Sequence, residues 1–341
     1  MRFEYYHEGL DLVPKLSVDG TVANAVHFSH WQGNFTPPSV KADTSTEIAL
    51  NLVGASDRDE LTQGIELVTN NHFDTDGVLS VWTVLTGAPA LSLHDELIAA
   101  AEAGDFSEFS SETGVRASIV IQGADDPMDE GGSPLARHLS GGAPFDDARA
   151  YELVLPEVEK VLTRINDYEV LWQAVWRRIE AAMESFERGE SRVEEFSDDK
   201  LSLIQLAQNI DSSSGFRPTR HGAPFTAISR FARGELFLIA RPMDNGWSYR
   251  IDFPYYSWAE TIVRRPIVRH DFTELVTRLN QLEEGSEGIW RIDTGELASA
   301  VKFGTPFGRP LRSSLAPETV VEETRAALRQ ARSSSAFGAQ K

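Results

Sequence analysis

The hydrophobic and polar positions of this chain alternate between patterns typical of strands and patterns typical of helices. A short apolar run at 65–69 is followed by a polar turn and then by an apolar helix. An earlier strand is predicted at 22–30 and a helix at 43–52, where Thr44 and Glu47 have the spacing of a capping box. The order of these elements predicts an α/β fold with a mostly parallel sheet in the N-terminal part.

The pattern also predicts the segments that follow. They are a helix at 92–104, a strand at 116–123, a Gly-, Pro- and Asp-rich loop at 124–149 suited to a lid, one or two long helices at 151–188 and a short helix at 201–207. Further on, two strand-like runs flank the turn signal Asp244-Asn245-Gly246, which is typical of a hairpin. The C-terminal part is therefore predicted to be an α+β domain with an antiparallel hairpin at 235–253, added strands at 254–258 and 289–292, and a helix at 272–282.

These elements suggest four segments. The predicted organisation is an α/β metal-site domain at 1–150, a helical connector at 151–212, an α+β substrate or cap domain at 213–332, and a frayed tail at 333–341. The polar joint Asp211–Gly215 marks the start of the second domain.

Composition narrows the class of protein. The chain is 41% hydrophobic, and no apolar run approaches the length of a membrane span, so we expect a globular protein without membrane partners. The N-terminus has acidic residues and no apolar segment of a secretory signal, and the chain has no cysteine, which excludes disulfides and thiolate metal ligands. A cytoplasmic location is the expectation.

Charge is distributed unevenly along the chain. Residues 1–212 carry a net charge of −24 and residues 213–341 a net charge of +4, which argues against binding to duplex nucleic acid. The segment 217–269 contains nine arginines and no lysine. Arginine side chains bind phosphate or carboxylate through two parallel hydrogen bonds, so this bias fits a small anionic substrate; ion pairing with the acidic half is the alternative. Arg230, Arg264 and Arg265 are the candidate substrate-binding residues.

The chemically most specific stretch is His72-Phe-Asp74-Thr-Asp76-Gly77, which joins the strand at 65–69 to the following helix. Residues after a strand of an α/β sheet face the ligand crevice, and these three side chains point to one side if the backbone stays extended. Carboxylates and an imidazole suit Mn, Mg, Zn or Fe(II). Alternatively, the two aspartates form Asx turns and cap the helix. A calcium loop is excluded because it needs Asp at its first position and Glu at its twelfth.

The stretch at 65–85 resembles the first motif of the DHH phosphoesterase superfamily. That resemblance implies one or two Mn ions held by the His-x-Asp-x-Asp-Gly element. The chain has no Asp-His-His triplet, and a strand-loop-helix unit precedes the motif. Taken together with the Ser-His-Trp31, Thr-Pro-Pro38 and Ala-Gly-Asp105-Phe elements, the whole chain looks like a bacterial family of unknown function, which implies no activity.

Three side chains are not sufficient ligands for a hydrolytic metal site. Asp105 is the first additional candidate, since it is predicted to follow a helix C-terminus, where a carboxylate is disfavoured without a cation. Asp43 is a further candidate ligand. His30 ends a predicted strand as His72 does, so both are expected at one edge of a parallel sheet, with His30 as a ligand or proton carrier.

These observations favour a hydrolase of the phosphoesterase kind that uses one or two Mn²⁺ or Mg²⁺ ions. Its candidate ligands are His72, Asp74, Asp76, Asp105 and Asp43, and its candidate catalytic residues are His30, His72 and Asp76. Arginines of the second domain would bind the substrate anion. One alternative is a non-catalytic binding or assembly protein with a structural cation; another is a metal enzyme that acts on a non-phosphate substrate.

Overall fold

The computed structural model describes two compact units of the chain. It covers residues 1–338 without 124–131, 208–222, 286, 294–297 and 307–309, and only the backbone of 332–338. Unit 1 comprises Met1–Arg177 and Trp258–Pro266; unit 2 comprises Arg178–Ser257 and Ile267–Lys341. The segment Trp258–Pro266, here called the strap, thus returns to unit 1 from a chain that otherwise builds unit 2.

Unit 1 contains a parallel sheet with the strand order β1-β4-β2-β3. Its strands are β1 (Arg2–Phe3), β2 (Leu16–Val18), β3 (Val26–Phe28) and β4 (Leu67–Thr69). The residues of β2 and β4 are buried throughout, as expected for strands covered on both faces. The predicted α/β fold with a parallel N-terminal sheet is confirmed.

Helices form the rest of unit 1. They are α1 (Ser45–Gly54), α2 (Arg58–Leu61), α3 (Thr75–Thr86), α4 (His94–Phe106), α5 (Glu112–Gln122), α6 (Pro134–Leu139), α7 (Asp147–Val154) and α8 (Val158–Thr163). Helix α1 packs against α3, α3 against α4, and α4 against α5. The predicted capping box is present in part, since the Thr44 side chain accepts a hydrogen bond from the backbone N–H of Glu47. Helix α9 (Glu169–Glu187) begins in unit 1 and ends in unit 2.

Unit 2 contains a mostly antiparallel sheet with the order β5-β6-β7-β8-β10-β9. Its strands are β5 (Arg192–Phe196), β6 (Leu201–Gln205), β7 (Leu236–Met243), β8 (Gly246–Asp252), β9 (Ile289–Ile292) and β10 (Ser299–Gly304), and its helices are α10 (Phe225–Phe231), α11 (Thr273–Leu282) and α12 (Pro317–Gly338). The predicted hairpin is confirmed as β7 and β8, with Asn245 in the left-handed conformation at the turn. The core of unit 2 is built around large side chains such as Trp290 and Phe303.

Three predicted elements are wrong. Residues 116–122 belong to helix α5, because Ser111 caps a helix that continues through the apolar run, and Gly123 is its C-cap. Residues 201–205 form a strand that pairs with both β5 and β7. A short buried apolar run fits a helix or a strand, so its pattern alone does not distinguish the two. Tyr255–Trp258 is a 3₁₀ helix and not a strand.

The predicted loop at 124–149 contains α6 and the start of α7, while 124–131 lie outside the described residues. The predicted joint Asp211–Gly215 also lies outside them. Helix α12 continues beyond the predicted start of the frayed tail at 333, and 339–341 are not described. None of the described helices has both the length and the apolar character that crossing a membrane requires.

Candidate metal centre

Three chain segments leave the parallel sheet at the same edge and carry polar side chains there. Asp19 directly follows β2, His30 comes two residues after β3, and His72 comes three residues after β4. Because the strands are parallel, their carboxyl ends lie together, which is where α/β sheets bind ligands. The structure therefore brings His30 and His72 to one edge, as expected, and adds Asp19.

Four of the side chains at this edge form a buried cluster, the inner group, which consists of Asp19, His30, Asp76 and Asp105. One ligand atom of each lies within 4.8 Å of all the others. His30 Nε2 lies 3.0 Å from Asp105 Oδ2, 3.5 Å from Asp19 Oδ1 and 3.8 Å from Asp76 Oδ2. Three carboxylates therefore converge on one imidazole nitrogen in a region closed to water.

A second cluster, the outer group, consists of Asp19, His72 and Asp74. His72 Nε2 lies 3.1 Å from Asp19 Oδ2 and 3.0 Å from Asp74 Oδ2. The side chains of His72 and Asp74 are about a quarter exposed, whereas that of Asp19 is completely buried. The two groups thus share Asp19, which turns one carboxylate oxygen toward each histidine.

The tautomer of His30 is determined by its second nitrogen. Nδ1 lies 2.6 Å from the backbone carbonyl oxygen of Asp43, which can only accept a hydrogen bond. In neutral His30 the proton is therefore on Nδ1, and the lone pair of Nε2 faces the carboxylates. A hydrogen bond from the second ring nitrogen to a backbone carbonyl is typical of metal-ligating histidines.

Two buried polar atoms of the inner group lack a hydrogen-bond partner among the described residues. They are Asp19 Oδ1 and His30 Nε2, which face each other. Buried polar atoms are nearly always paired, and a bound cation would satisfy both the carboxylate oxygen of Asp19 and the Nε2 of neutral His30. The donor set of the inner group therefore fits a divalent ion.

The backbone at Asp19 is held in a conformation that few residues adopt. Its φ is 54°, in the left-handed region that costs energy for a residue with a side chain. The turn is tight, since a Cβ added to Gly20 would lie 2.4 Å from the side-chain oxygen of Asn71. This turn directs the Asp19 side chain back into the sheet edge, between the two groups.

Asp74 and Asp76 belong to different groups because the chain leaves its extended path between them. Asp74 is the N-cap of α3 and accepts a hydrogen bond from the backbone N–H of Gly77 through Oδ1, while its Oδ2 faces His72. Asp76 lies in the first turn of α3 and accepts hydrogen bonds from the backbone N–H groups of Ser45 and Thr46 in α1. Asp74 therefore combines the capping role with a place in the outer group.

Asp105 occupies the last turn of α4, not the loop after it as predicted, and Ser107 ends the helix in the left-handed conformation. Because the C-terminal end of a helix carries partial negative charge, it disfavours a carboxylate there. Burial, followed by the charges of Asp76 and Asp74, raises the pKa of Asp105 well above its ordinary range. The fold thus places a carboxylate where its charge is disfavoured unless a cation is bound.

The other members of the two groups have shifted pKa values too. Burial and the charge of Asp19 raise the pKa of Asp76 to about 7. For both histidines, burial acts to lower the pKa, but the neighbouring carboxylates outweigh burial and raise it well above its ordinary value. Without a bound cation, the clusters therefore hold protons to offset their negative charge.

Tyr151 and Asn70 support the outer group from behind. The Tyr151 hydroxyl donates to the backbone carbonyl of His72 and accepts from the side-chain amide of Asn70. A Cβ on Gly77 would lie 2.4 Å from that amide nitrogen and 2.7 Å from that hydroxyl oxygen, so glycine is required for this close approach. The contacts of Tyr151 and Asn70 with Gly77 thus fix the path of the chain from β4 into α3.

Asp43, a predicted metal ligand, lies in neither group. Its carboxylate accepts hydrogen bonds from the backbone N–H groups of Ile262, Val263 and Arg264, and from the Arg264 side chain. The Arg264 guanidinium also pairs with Glu102 and Glu108 at 2.5 and 2.6 Å. Asp43 thus anchors the strap through its side chain and orients His30 through its backbone carbonyl.

The strap also brings an indole ring to the site. Trp258 meets His30 edge-on with ring centroids 4.9 Å apart, and the backbone N–H of Glu260 donates to the His30 carbonyl. Trp31 lies 5.1 Å from the His72 ring and 5.7 Å from the Trp258 ring. Each group of the centre therefore has an aromatic ring beside its histidine.

The predicted substrate-binding arginines lie in different environments. Arg264 and Arg265 belong to the strap of unit 1, where Arg264 pairs with carboxylates and Arg265 is exposed. Arg230 belongs to α10 of unit 2, where its Nη1 lies 3.5 Å from the sulfur of Met183. Their role in substrate binding stays a prediction.

Asp19 is a member of both groups that we did not predict from the sequence. A signal was present, since Leu16-Ser-Val18 is a short apolar run that ends in Asp-Gly, as a buried strand that ends at a site does. The run is too short to stand out by hydrophobicity, and Asp-Gly is equally typical of an ordinary turn.

The chain belongs to a family of unknown function (DUF6687), whose model matches residues 2–336. No curated protein matches the chain. Among solved structures it is similar to a pGpG-specific phosphodiesterase, PggH, from Vibrio cholerae, with 11% sequence identity and a TM-score of 0.39. That match covers 93% of this chain and 84% of the other. At this distance the activity of one protein is no argument for the activity of the other.

Proposed function

We propose that this protein is a hydrolase of small anionic phosphoesters that uses two divalent ions, Mn²⁺ or Mg²⁺. The observation that carries the proposal is the shared carboxylate of Asp19, whose Oδ1 faces the inner group and whose Oδ2 faces the outer group. A carboxylate between two adjacent ligand sets is the arrangement that two-metal hydrolases use to hold a pair of ions.

The ligand types restrict the choice of ion. The inner group supplies three carboxylates and one imidazole, and the outer group two carboxylates and one imidazole, with Asp19 counted in both. Carboxylate-rich sites favour Mg²⁺ and Mn²⁺, whereas sites of Cys and His favour Zn²⁺. An imidazole in each group makes Mn²⁺ our first choice, since Mg²⁺ prefers oxygen ligands.

The two groups would have different tasks because their exposure differs. The inner group is closed to solvent, so His30 and Asp105 would hold an ion and keep it dry. The outer group is partly open, and substrate would therefore arrive beside His72 and Asp74. Ions bound there would polarise the phosphoryl group and lower the pKa of an attacking water. His30, with its side chain completely buried, is better placed as a ligand than as a proton carrier.

The complete burial of the inner group also favours a second candidate, a structural cation in a non-catalytic protein. In that case substitutions in the inner group would lower the stability of metal-loaded protein, and the outer group would be dispensable. The two candidates differ in what Asp74→Asn does, because this variant changes only the partly open group.

The test is Mn²⁺-dependent hydrolysis of bis(p-nitrophenyl) phosphate by wild type, Asp74→Asn, Asp105→Asn and the control Asp95→Asn, whose side chain is 97% exposed. We expect wild-type turnover that requires Mn²⁺, and a loss of at least about 100-fold in both site variants but not in the control. A correctly folded wild type that binds Mn²⁺ without hydrolysing phosphoesters would favour the structural cation.

A further inference from the structure

We propose that Asn71 is the positioning residue of the outer group, and that its side-chain oxygen holds the imidazole of His72 so that Nε2 faces Asp19 and Asp74. This inference rests on the proposed function, since it names the residue that prepares the outer ligand set for an ion. It depends on the hydrogen bond at the second ring nitrogen of His72, on the parallel with His30, and on the packing that fixes the Asn71 amide.

The two nitrogens of the His72 ring face different partners. Nε2 lies 3.1 Å from Asp19 Oδ2 and 3.0 Å from Asp74 Oδ2, while Nδ1 lies 3.2 Å from Asn71 Oδ1. Because an amide oxygen can only accept a hydrogen bond, Nδ1 carries the proton in the neutral ring and Nε2 carries the lone pair. A histidine binds a metal ion through its unprotonated nitrogen. Asn71 therefore directs the ligand nitrogen toward the carboxylates.

His30 has the same arrangement on a different segment of the chain. Its Nδ1 lies 2.6 Å from the backbone carbonyl oxygen of Asp43, and its Nε2 faces the carboxylates of the inner group. In both groups an oxygen acceptor thus holds Nδ1 and leaves Nε2 for the ligand side. Metal-ligating histidines are held in this way, so the repetition favours a positioning role for Asn71 over an incidental contact with its neighbour in the sequence.

The amide of Asn71 is fixed by the turn that follows β2. A Cβ added to Gly20 would lie 2.4 Å from Asn71 Oδ1 and 3.0 Å from the side-chain oxygen of Asn70. The backbone N–H of Asn71 donates to Asn70 Oδ1, and the completely buried side chain of Asn70 donates to the Tyr151 hydroxyl. The oxygen of Asn71 therefore lies between this turn and the His72 ring, in space that is available because residue 20 has no side chain.

Exposure explains why the outer histidine depends on a hydrogen bond of this kind. The side chain of His72 is 26% exposed, whereas that of His30 is completely buried. A buried ring is held by its packing, but a partly exposed ring is free to turn unless a hydrogen bond restrains it. Loss of such a partner typically weakens metal binding by about 10-fold to 100-fold.

The test compares Asn71→Leu, which removes the acceptor with little change of shape, with Asn71→Asp, which keeps an oxygen in its place. The matched control is Asn51→Leu, since Asn51 also makes a side-chain hydrogen bond, to the Val40 carbonyl, and belongs to neither group. Mn²⁺ binding is measured by isothermal titration calorimetry. The ¹⁵N chemical shifts of the imidazoles are measured by NMR in EDTA, with His72→Gln to assign the His72 signals, and melting temperatures in EDTA report stability.

We expect Asn71→Leu to weaken one of the two Mn²⁺ sites by about 10-fold or more. In EDTA the same variant should shift the Nδ1 resonance of His72 and leave that of His30 unchanged. Asn71→Asp should bind both ions at least as tightly as wild type, and its Nδ1 resonance separates a retained hydrogen bond from a general effect of the added charge. Asn51→Leu should change neither readout.

An unchanged Nδ1 resonance of His72 in Asn71→Leu, or an unchanged affinity of that variant for both ions, would overturn the inference. So would a loss of affinity that only accompanies a lower melting temperature in EDTA and that Asn71→Asp does not rescue, because this is the result expected of a merely structural residue. Failure of the proposed function looks different. A protein that binds no Mn²⁺, or binds it without hydrolysing phosphodiesters, would still show the change at Nδ1 in Asn71→Leu.

Discussion

Two clusters of buried and partly buried acids in unit 1 are neutralised to different degrees. In the strap network, Asp43, Glu102 and Glu108 surround the guanidinium of Arg264, and three backbone N–H groups add to the pairing of Asp43. In the inner group, three carboxylates face one histidine and one another. One arginine and several backbone N–H groups hold the acids of the first cluster in their charged form, whereas the second cluster has a single imidazole for three carboxylates.

The pKa values record this difference. Burial acts to raise the pKa of Asp43, but its hydrogen bonds to the strap outweigh burial and lower it. Burial and like charges raise the pKa of Asp76 to about 7 and that of Asp105 well above its ordinary range. Buried charge that the fold itself neutralises is structural, whereas buried charge left without a partner is typical of sites completed by a ligand.

The largest effect is expected for Asp19→Asn, which removes the carboxylate shared by both groups. Asparagine tolerates the left-handed backbone of this position, so the fold should survive. We expect phosphodiester hydrolysis to fall by about 1,000-fold or more, since both ion sites lose a ligand. Initial rates at saturating Mn²⁺ measure the change.

Glu108→Gln is the matched control for Asp19→Asn, because it removes one acid of the strap network and none of either metal group. It should retain hydrolysis within a few-fold. Equal losses in Asp19→Asn and Glu108→Gln would show that the two clusters do not differ in function.

Arg264→Met is expected to have the largest effect on stability. It leaves Asp43, Glu102 and Glu108 without their cation in a partly buried position, which costs about 3–5 kcal/mol of the free energy of unfolding. Urea unfolding measures the loss. The neighbouring exposed Arg265→Met should change stability by less than about 0.5 kcal/mol. Similar values for the two variants would contradict the strap network as a structural element.

In contrast to Arg264→Met, Asp105→Asn should increase the stability of the metal-free protein. Removing one of three mutually repelling carboxylates is expected to stabilise the EDTA-treated protein at pH 8 by about 0.5–2 kcal/mol. The same variant should lose the stabilisation that Mn²⁺ gives to wild type. A variant that is destabilised in EDTA would indicate that Asp105 is part of an internally satisfied network.

The stability of the metal-free protein should also depend on pH. Asp76, with a pKa near 7 in the fold against an ordinary 3.8, binds its proton more tightly when folded. Its contribution to stability is therefore complete at low pH and is lost as the pH rises through about 7. The raised pKa values of His30 and His72 act in the same direction, with loss above pH 6.5.

Asp43 affects the pH dependence in the opposite direction, because the fold lowers its pKa. Its contribution to stability is lost only as the pH falls below the ordinary pKa range of an aspartate. The melting temperature of EDTA-treated wild type should therefore decrease between about pH 5 and pH 8, and the increment given by Mn²⁺ should grow over the same range. An increment that is independent of pH would mean that the ion displaces no protons from these groups.

Much of the architecture could be predicted from local signals. The Asp244-Asn-Gly246 turn fixed the hairpin, and the run from Ile65 into Asp74 indicated a strand that passes into a helix. The apolar run at 116–123 could not be assigned, because its β-branched residues fit a buried strand as well as the buried helix α5. Leu201–Gln205 was ambiguous for the same reason, and only its pairing between two strands decides it.

The site could be predicted in part. His72, Asp74 and Asp76 lie in one motif, and His30 and Asp105 follow from where elements end. Asp19 could not be distinguished from a residue of an ordinary turn, since its importance depends on the parallel pairing that places β2 between β3 and β4. Asp43 was predicted as a metal ligand because it is a carboxylate. Its partner is an arginine 221 residues away, which no local pattern reveals.

Metal stoichiometry tests the central claim most directly. Purified wild type, Asp19→Asn and Glu108→Gln are saturated with Mn²⁺, freed of unbound ion and measured by elemental analysis. The shared carboxylate predicts two ions per chain in wild type and in Glu108→Gln, and fewer than one in Asp19→Asn. Wild type without bound metal, or Asp19→Asn with an unchanged metal content, would contradict a two-metal centre at this edge of the sheet.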